Sequence, residues 1–205
     1  YSFWKKSAPQ ETQVQTPEPT PPSAEEAKQQ EESSLPFPVD KIVPVSSSED
    51  ISKLLSEELT QGITGVSFEG VQTPLTMLGI ELSEQVKPLV RPSFLLFLHT
   101  LGEKKRFGLA FTVNGTEKIM KEELLLWEPD MEKDTASLFR LMGTPGTGHV
   151  SFFRSTQHDG VAIRFQTLSL NDFGIVYALS HNLLLITSSL ESMNVLLDTL
   201  EKPAL

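Results

Sequence analysis

Proline and glycine divide this chain in two. Of its 205 residues, the first forty hold seven of the fourteen prolines and none of the twelve glycines. Glycine supplies the tight turns of a folded domain, whereas proline spread among Gln, Glu, Ser and Thr stiffens a chain that has nothing to bury. Residues 1–38 are therefore expected to be a linker, with residues 7–35 disordered and extended. Leu35 and Phe37 are the first side chains positioned to touch a core. Residues 39–205 carry apolar runs dense enough for a single globular domain.

The charge follows the same division. The formal net charge is −10, with −4 from residues 1–40 and −6 from the rest. A mildly acidic domain without a basic stripe is a poor match for a phosphate backbone, so nucleic acid is not an expected partner. With no cysteine in the chain, thiolate metal sites and cysteine nucleophiles are ruled out.

The opening Tyr1-Ser2-Phe3-Trp4-Lys5-Lys6 resembles the exit of a membrane helix, where aromatic rings sit at the headgroups and lysine reaches water. The expectation is a single-pass anchor in the cell membrane preceding Tyr1, with the domain outside the cytoplasm. Two lysines on the outer side run against the usual positive-inside bias.

Periodicity orders the domain. Residues 41–45 read as a strand, Ile51, Leu54, Leu55 and Leu59 as one face of a helix, and residues 63–68 as a strand. Thr73-Pro74 supplies a helix start, a cap followed by proline at the first helical position, for a short helix to about Ile80. Residues 93–101 and 106–113 form a hairpin, and the first of these strands is apolar on both faces, which places it inside the sheet. Helices are expected over 115–127 and, beyond Pro129, over 130–142, since proline ends one helix and suits the start of the next. Residues 143–148 are a Gly-rich connector. Strands at 150–155, 161–167, 173–179 and 183–187 follow, with Asp159-Gly160 and His181-Asn182 at hairpin tips. A last helix runs from Leu190 to about Lys202. The fold class is α+β, a largely antiparallel sheet with helices mainly on one face.

Three strands lead into capping-box sequences, Ser46-x-x-Glu49, Asn114-x-x-Glu117 and Ser188-x-x-Glu191. They read as independent uses of a common helix start rather than as a repeat.

No catalytic, cofactor-binding or metal-binding residue is assigned. The four histidines, His99, His149, His158 and His181, lack the i, i+4 spacing of a helical zinc site. His99 lies in an apolar strand and is expected to be a hydrogen-bonded core residue. His158-Asp159 near Ser155 has no nucleophile-elbow context, and the 143–148 loop lacks the Lys-Ser/Thr of a phosphate-binding loop.

The string Leu124-Leu125-Leu126-Trp127-Glu128-Pro129-Asp130, with Asp134 and Leu138-Phe139, resembles a segment of a family of bacterial proteins. The stretches Gly174 to Leu179 and Leu184 to Thr187 are similar in style to the same family. Its members have one N-terminal transmembrane helix, a polar linker and an extracytoplasmic α+β domain, and the family itself is uncharacterised. The resemblance implies architecture and topology and brings no activity. Trp127 reads as a core residue whose indole N–H needs a partner. The expected function is a membrane-tethered protein-interaction or envelope-assembly module with an unknown protein partner or a second copy of itself. The alternative is a ligand-binding or enzymatic domain built from scattered polar residues such as Arg164, Asn171 and Asp172.

Overall fold

The computed structural model describes residue 37 and residues 39–57, 60–141 and 149–201. The chain divides into two units, Tyr1–Ser34 and Leu35–Leu205, and every described residue belongs to the second. The expected linker disorder, Leu35, Leu59, the 143–148 connector and the end of the last helix lie outside the described residues.

Among the described residues, eight strands form one sheet: β1 (Lys41–Val45), β2 (Gly62–Phe68), β3 (Val90–Leu101), β4 (Lys104–Val113), β5 (Arg154–His158), β6 (Val161–Ser169), β7 (Phe173–Ser180) and β8 (Leu183–Thr187). Their order is β1-β2-β3-β4-β8-β7-β6-β5. Only β1 and β2 run parallel, and every other pair is antiparallel. The helices are α1 (Ser48–Ser56), α2 (Pro74–Leu78), α3 (Glu117–Leu141) and α4 (Leu190–Glu201), with a 3-10 turn at Lys87–Leu89. This is the expected α+β class.

Alternation along β8 shows how the layers arise. Leu184 and Ile186 point into one core and Leu183 and Leu185 into the other, as a period of two requires. The first core collects the buried faces of α1, α2 and α3; the second collects α4 and Phe37. Three of the four helices thus share a face. Phe37 lies against the Phe97 ring at 4.9 Å between centroids, so the chain joins the core at the position the sequence suggested.

The two hairpin tips follow the turn rules. Asp159 and Gly160, and likewise His181 and Asn182, all have positive φ, the two-residue turn that matches strand twist. That geometry pairs His158 with Val161 and fixes β5 as Arg154–His158, four residues later than the apolar Val150, Phe152 and Phe153 suggested. Phe153 packs on Tyr177 instead, and Phe152 is exposed.

The expected break at Pro129 does not occur: α3 is one helix with Pro129 inside it. An interior proline costs about 3 kcal/mol. Two features offset it. Pro129 lies on the exposed side near Leu125, whose carbonyl loses the missing donor and can turn to water. The buried stripe Met120, Leu124, Trp127, Met131, Thr135, Leu138 runs through the proline without a change of phase, and each large member contributes about 1.5–3 kcal/mol by burial.

Close packing against α3 also fixes Gly79. It ends α2 in the left-handed region at φ 62°, and a Cβ there would stand 2.6 Å from Cβ of Ser137.

The three helix starts are real, but the caps are not those the spacing suggested. Ser47 caps α1 in a reciprocal box with Asp50, one residue later than Ser46 and Glu49. Thr116 Oγ1 accepts from Ile119 N at the start of α3. Ser189 Oγ accepts from Ser192 N in α4, while Ser188 Oγ accepts from Phe107 N of β4. Of the three helices, α1 and α3 lie on one face of the sheet and α4 on the other.

Candidate functional site

Between the second half of α3 and strands β5 to β7 lies a polar seam inside an otherwise apolar layer. Arg164 lies on β6 and Tyr177 pairs with it from β7; Glu128 comes down from α3. Arg164 donates Nε and Nη2 to the two Glu128 oxygens at 2.7 and 2.6 Å, and Tyr177 Oη donates to Glu128 Oε1 at 2.7 Å. Arg164 Nη1 also donates to Ser155 Oγ at 2.7 Å. One turn further along α3, Glu132 accepts from Gln166 Nε2 at 2.6 Å and lies 3.0 Å from His149 Nε2.

The electrostatics follow from this arrangement. Burial, and then the hydrogen bond to Glu128, hold the Tyr177 phenol well above the usual tyrosine range. The Arg164 guanidinium is raised by its hydrogen bond to Glu128. Both Glu128 oxygens are engaged by donors, so the cluster is a satisfied bridge.

A second polar cluster stands at the opposite face, where α4 begins. His99 Nδ1 lies 3.2 Å from Ser192 Oγ, and both residues are buried. Arg106 donates to the carbonyls of Lys105, Asn171 and Asp172 and lies over the Phe173 ring. Asp172 accepts from Leu190 N at 2.9 Å and Glu191 N at 3.3 Å, placing a carboxylate at the helix start.

His99 is thus a hydrogen-bonded core residue, as expected. Burial lowers its pKa, against the pull of Glu191 and Asp40. A depressed imidazole gives stability that is full above the unfolded value near 6.5 and is lost as pH falls toward the folded one. Acidification from pH 7.5 to 5 should therefore destabilise the wild type more than His99→Gln, measured by urea denaturation of both. Equal losses in the two proteins would show that His99 ionises freely.

Arg164, Asn171 and Asp172, the residues offered for a ligand site, are not brought together. Arg164 serves the α3 seam, while Asn171 and Asp172 serve the α4 corner. Ser155 and His158 alternate across β5: Ser155 meets Arg164, and His158 meets Asp198 of α4. Two small surface clefts, of about 120 and 160 Å³, lie by the His181 turn and by α1, and neither is lined by Arg164, Asn171 or Asp172.

What the sequence reading missed is the outer face of α3. Ile119, Leu125 and Leu126 are exposed there, Leu126 at 72%. Ile119, Glu122, Leu126, Pro129, Lys133 and Ala136 follow one another at spacings of three and four, the repeat of a helix-pairing seam. The signal was present in the sequence, but it is masked by the stronger buried stripe on the same helix.

Comparison with known protein families, with curated proteins and with solved structures finds no match for this chain.

Proposed function

We propose that this chain is an interaction module rather than an enzyme, tethered to the cell membrane and placed outside the cytoplasm, and that its domain associates through the outer seam of α3. The observation that carries the reading is the exposure of Ile119 and Leu126, two turns apart along one line of a helix whose other side is already packed. Exposed apolar side chains aligned on one helix face and interleaved with charge suit a pairing seam.

The occupant that best fits the seam is a second copy of α3, antiparallel to the first. In a two-fold pairing centred between Leu126 and Pro129, Glu122 of one copy faces Lys133 of the other. Leu126 then meets Pro129, and Ile119 meets Ala136. The seam is self-complementary in charge and in size, as a two-fold interface must be. The aromatic-lysine opening and the polar linker support the tether. Among the described residues no helix is long and apolar enough to cross a membrane.

Sedimentation velocity of the 205-residue chain should show a concentration-dependent dimer that Leu126→Glu abolishes. The charge reversal Glu122→Lys should weaken it, and adding Lys133→Glu should restore it. A monomer at every concentration, or a dimer indifferent to Leu126→Glu, overturns the seam. In cells, residues 7–35 should be cut by protease added to spheroplasts; protection until the membrane is broken overturns the orientation.

A further inference from the structure

On the far side of the sheet from α3, the end of edge strand β5 meets the last turns of α4. His158 closes β5, Asp159 follows it in the tight turn, and Asp198 projects from α4. His158 Nε2 lies 2.5 Å from Asp198 Oδ1 and 3.8 Å from the Asp159 carboxylate. One ligand atom from each of the three residues lies within 4.8 Å of the others. Glu201, three residues beyond Asp198 and on the same side of the helix, is also close enough to act on His158 electrostatically.

We propose that His158, Asp159 and Asp198 form a binding site for a divalent transition-metal ion, Zn²⁺ in the first instance, with Glu201 available as a fourth ligand. Zinc takes imidazole nitrogen and carboxylate oxygen at about 2.0–2.2 Å, so neighbouring ligand atoms in a tetrahedral shell stand about 3.3 Å apart. The observed separations bracket that value. Measured from His158 Nε2, binding needs the Asp198 oxygen to retreat by less than about 1 Å and the Asp159 oxygen to advance by about half of that, with the two carboxylates, within 4.8 Å of each other, settling to the same spacing. All three side chains are partly exposed, so both adjustments are open to them. The imidazole favours zinc, copper or nickel over magnesium and calcium, which prefer an all-oxygen shell.

The placement gives the ion a consequence. His158 and Asp198 are forty residues apart and sit on separate elements, the edge hairpin and the final helix. A bound ion would close that loop and clip the outermost strand, which among the described residues has no paired strand on its free side, to the body of the domain. Edge strands without protection invite pairing with other chains, and a metal clip is one way to hold such an edge in place. Binding to the folded state alone raises stability by mass action.

The test uses the full chain stripped with a chelator. Isothermal titration with ZnCl₂ should give one ion per chain, and the melting temperature should rise with Zn²⁺ and not with Mg²⁺. His158→Gln and Asp198→Asn should each weaken binding by about tenfold or more, the scale at which even outer-shell changes act. His149→Gln and His181→Gln should leave it unchanged. Melts of each variant in chelator, matching the wild type, separate a lost ligand from a lost fold. Absence of binding by the wild type overturns the site, as does binding that survives both His158→Gln and Asp198→Asn.

Discussion

Trp127→Ala is expected to lower the free energy of unfolding by about 3–5 kcal/mol, the scale of a large aromatic truncated in a core. The indole is buried at 2% exposure, and its Nε1 donates to Asp134 Oδ2 at 2.8 Å. Those two residues stand on either side of Pro129, so the side chain bridges the place where α3 lacks a backbone hydrogen bond. Truncation removes the packing and leaves a half-buried carboxylate without its donor, just where the helix is weakest. Trp127→Phe separates the parts: it keeps much of the buried area and loses the hydrogen bond, at a cost of about 1–2 kcal/mol. Urea denaturation followed by circular dichroism measures both. A loss below about 1 kcal/mol for Trp127→Ala would mean that the indole does not hold α3 to the sheet.

Trp127 also marks how far the sequence could be read. Its burial and its need for a partner followed from the apolar string around it. The partner did not, because Asp134 lies beyond a proline that local rules treat as a stop. Proline's cost is local, whereas the stripe that overrides it draws on Met120 at one end and Leu138 at the other. Strands fared better, since β2, β4, β7 and β8 are bounded by turns with strong backbone preferences. For β5 the turn and the apolar pattern disagreed, and the turn decided the register because it fixes the pairing geometrically. The caps failed by one or two residues because a hydroxyl side chain follows each candidate: Ser47, Thr116 and Ser189. Ser188 spends its hydroxyl on a neighbouring strand that the local sequence does not reveal. Of the proposed metal site only His158-Asp159 was visible locally, since His158 and Asp198 meet only once β5 and α4 are placed.

The α3 seam carries the second large expectation. Arg164→Met should destabilise the domain by about 3 kcal/mol, because it leaves Glu128 charged in a mostly buried position. The side chains of Glu128 and Arg164 are 14% and 27% exposed, which takes the pair out of the exposed-surface regime of about 0–1 kcal/mol. Removing the charges together should be cheaper than removing one. The triple change Arg164→Met, Glu128→Leu, Tyr177→Phe takes out the cation, the carboxylate and the phenol that would otherwise lose its acceptor. It should fall within about 1 kcal/mol of the wild type, since apolar packing can replace a buried ion pair. A double-mutant cycle on Arg164 and Glu128 should give a coupling of about 2 kcal/mol, within the range for residues in one network. Tyr177 adds a signature in alkali. Its folded pKa is raised, so its contribution is full below the unfolded value and is lost as pH climbs past about 10. Tyr177→Phe should remove that part of the alkaline loss. A negligible single-mutant cost without coupling would show a solvated pair, and α3 would then rest on its apolar stripe alone. A large coupling would make the seam the second fastening of the helix that presents the exposed ridge.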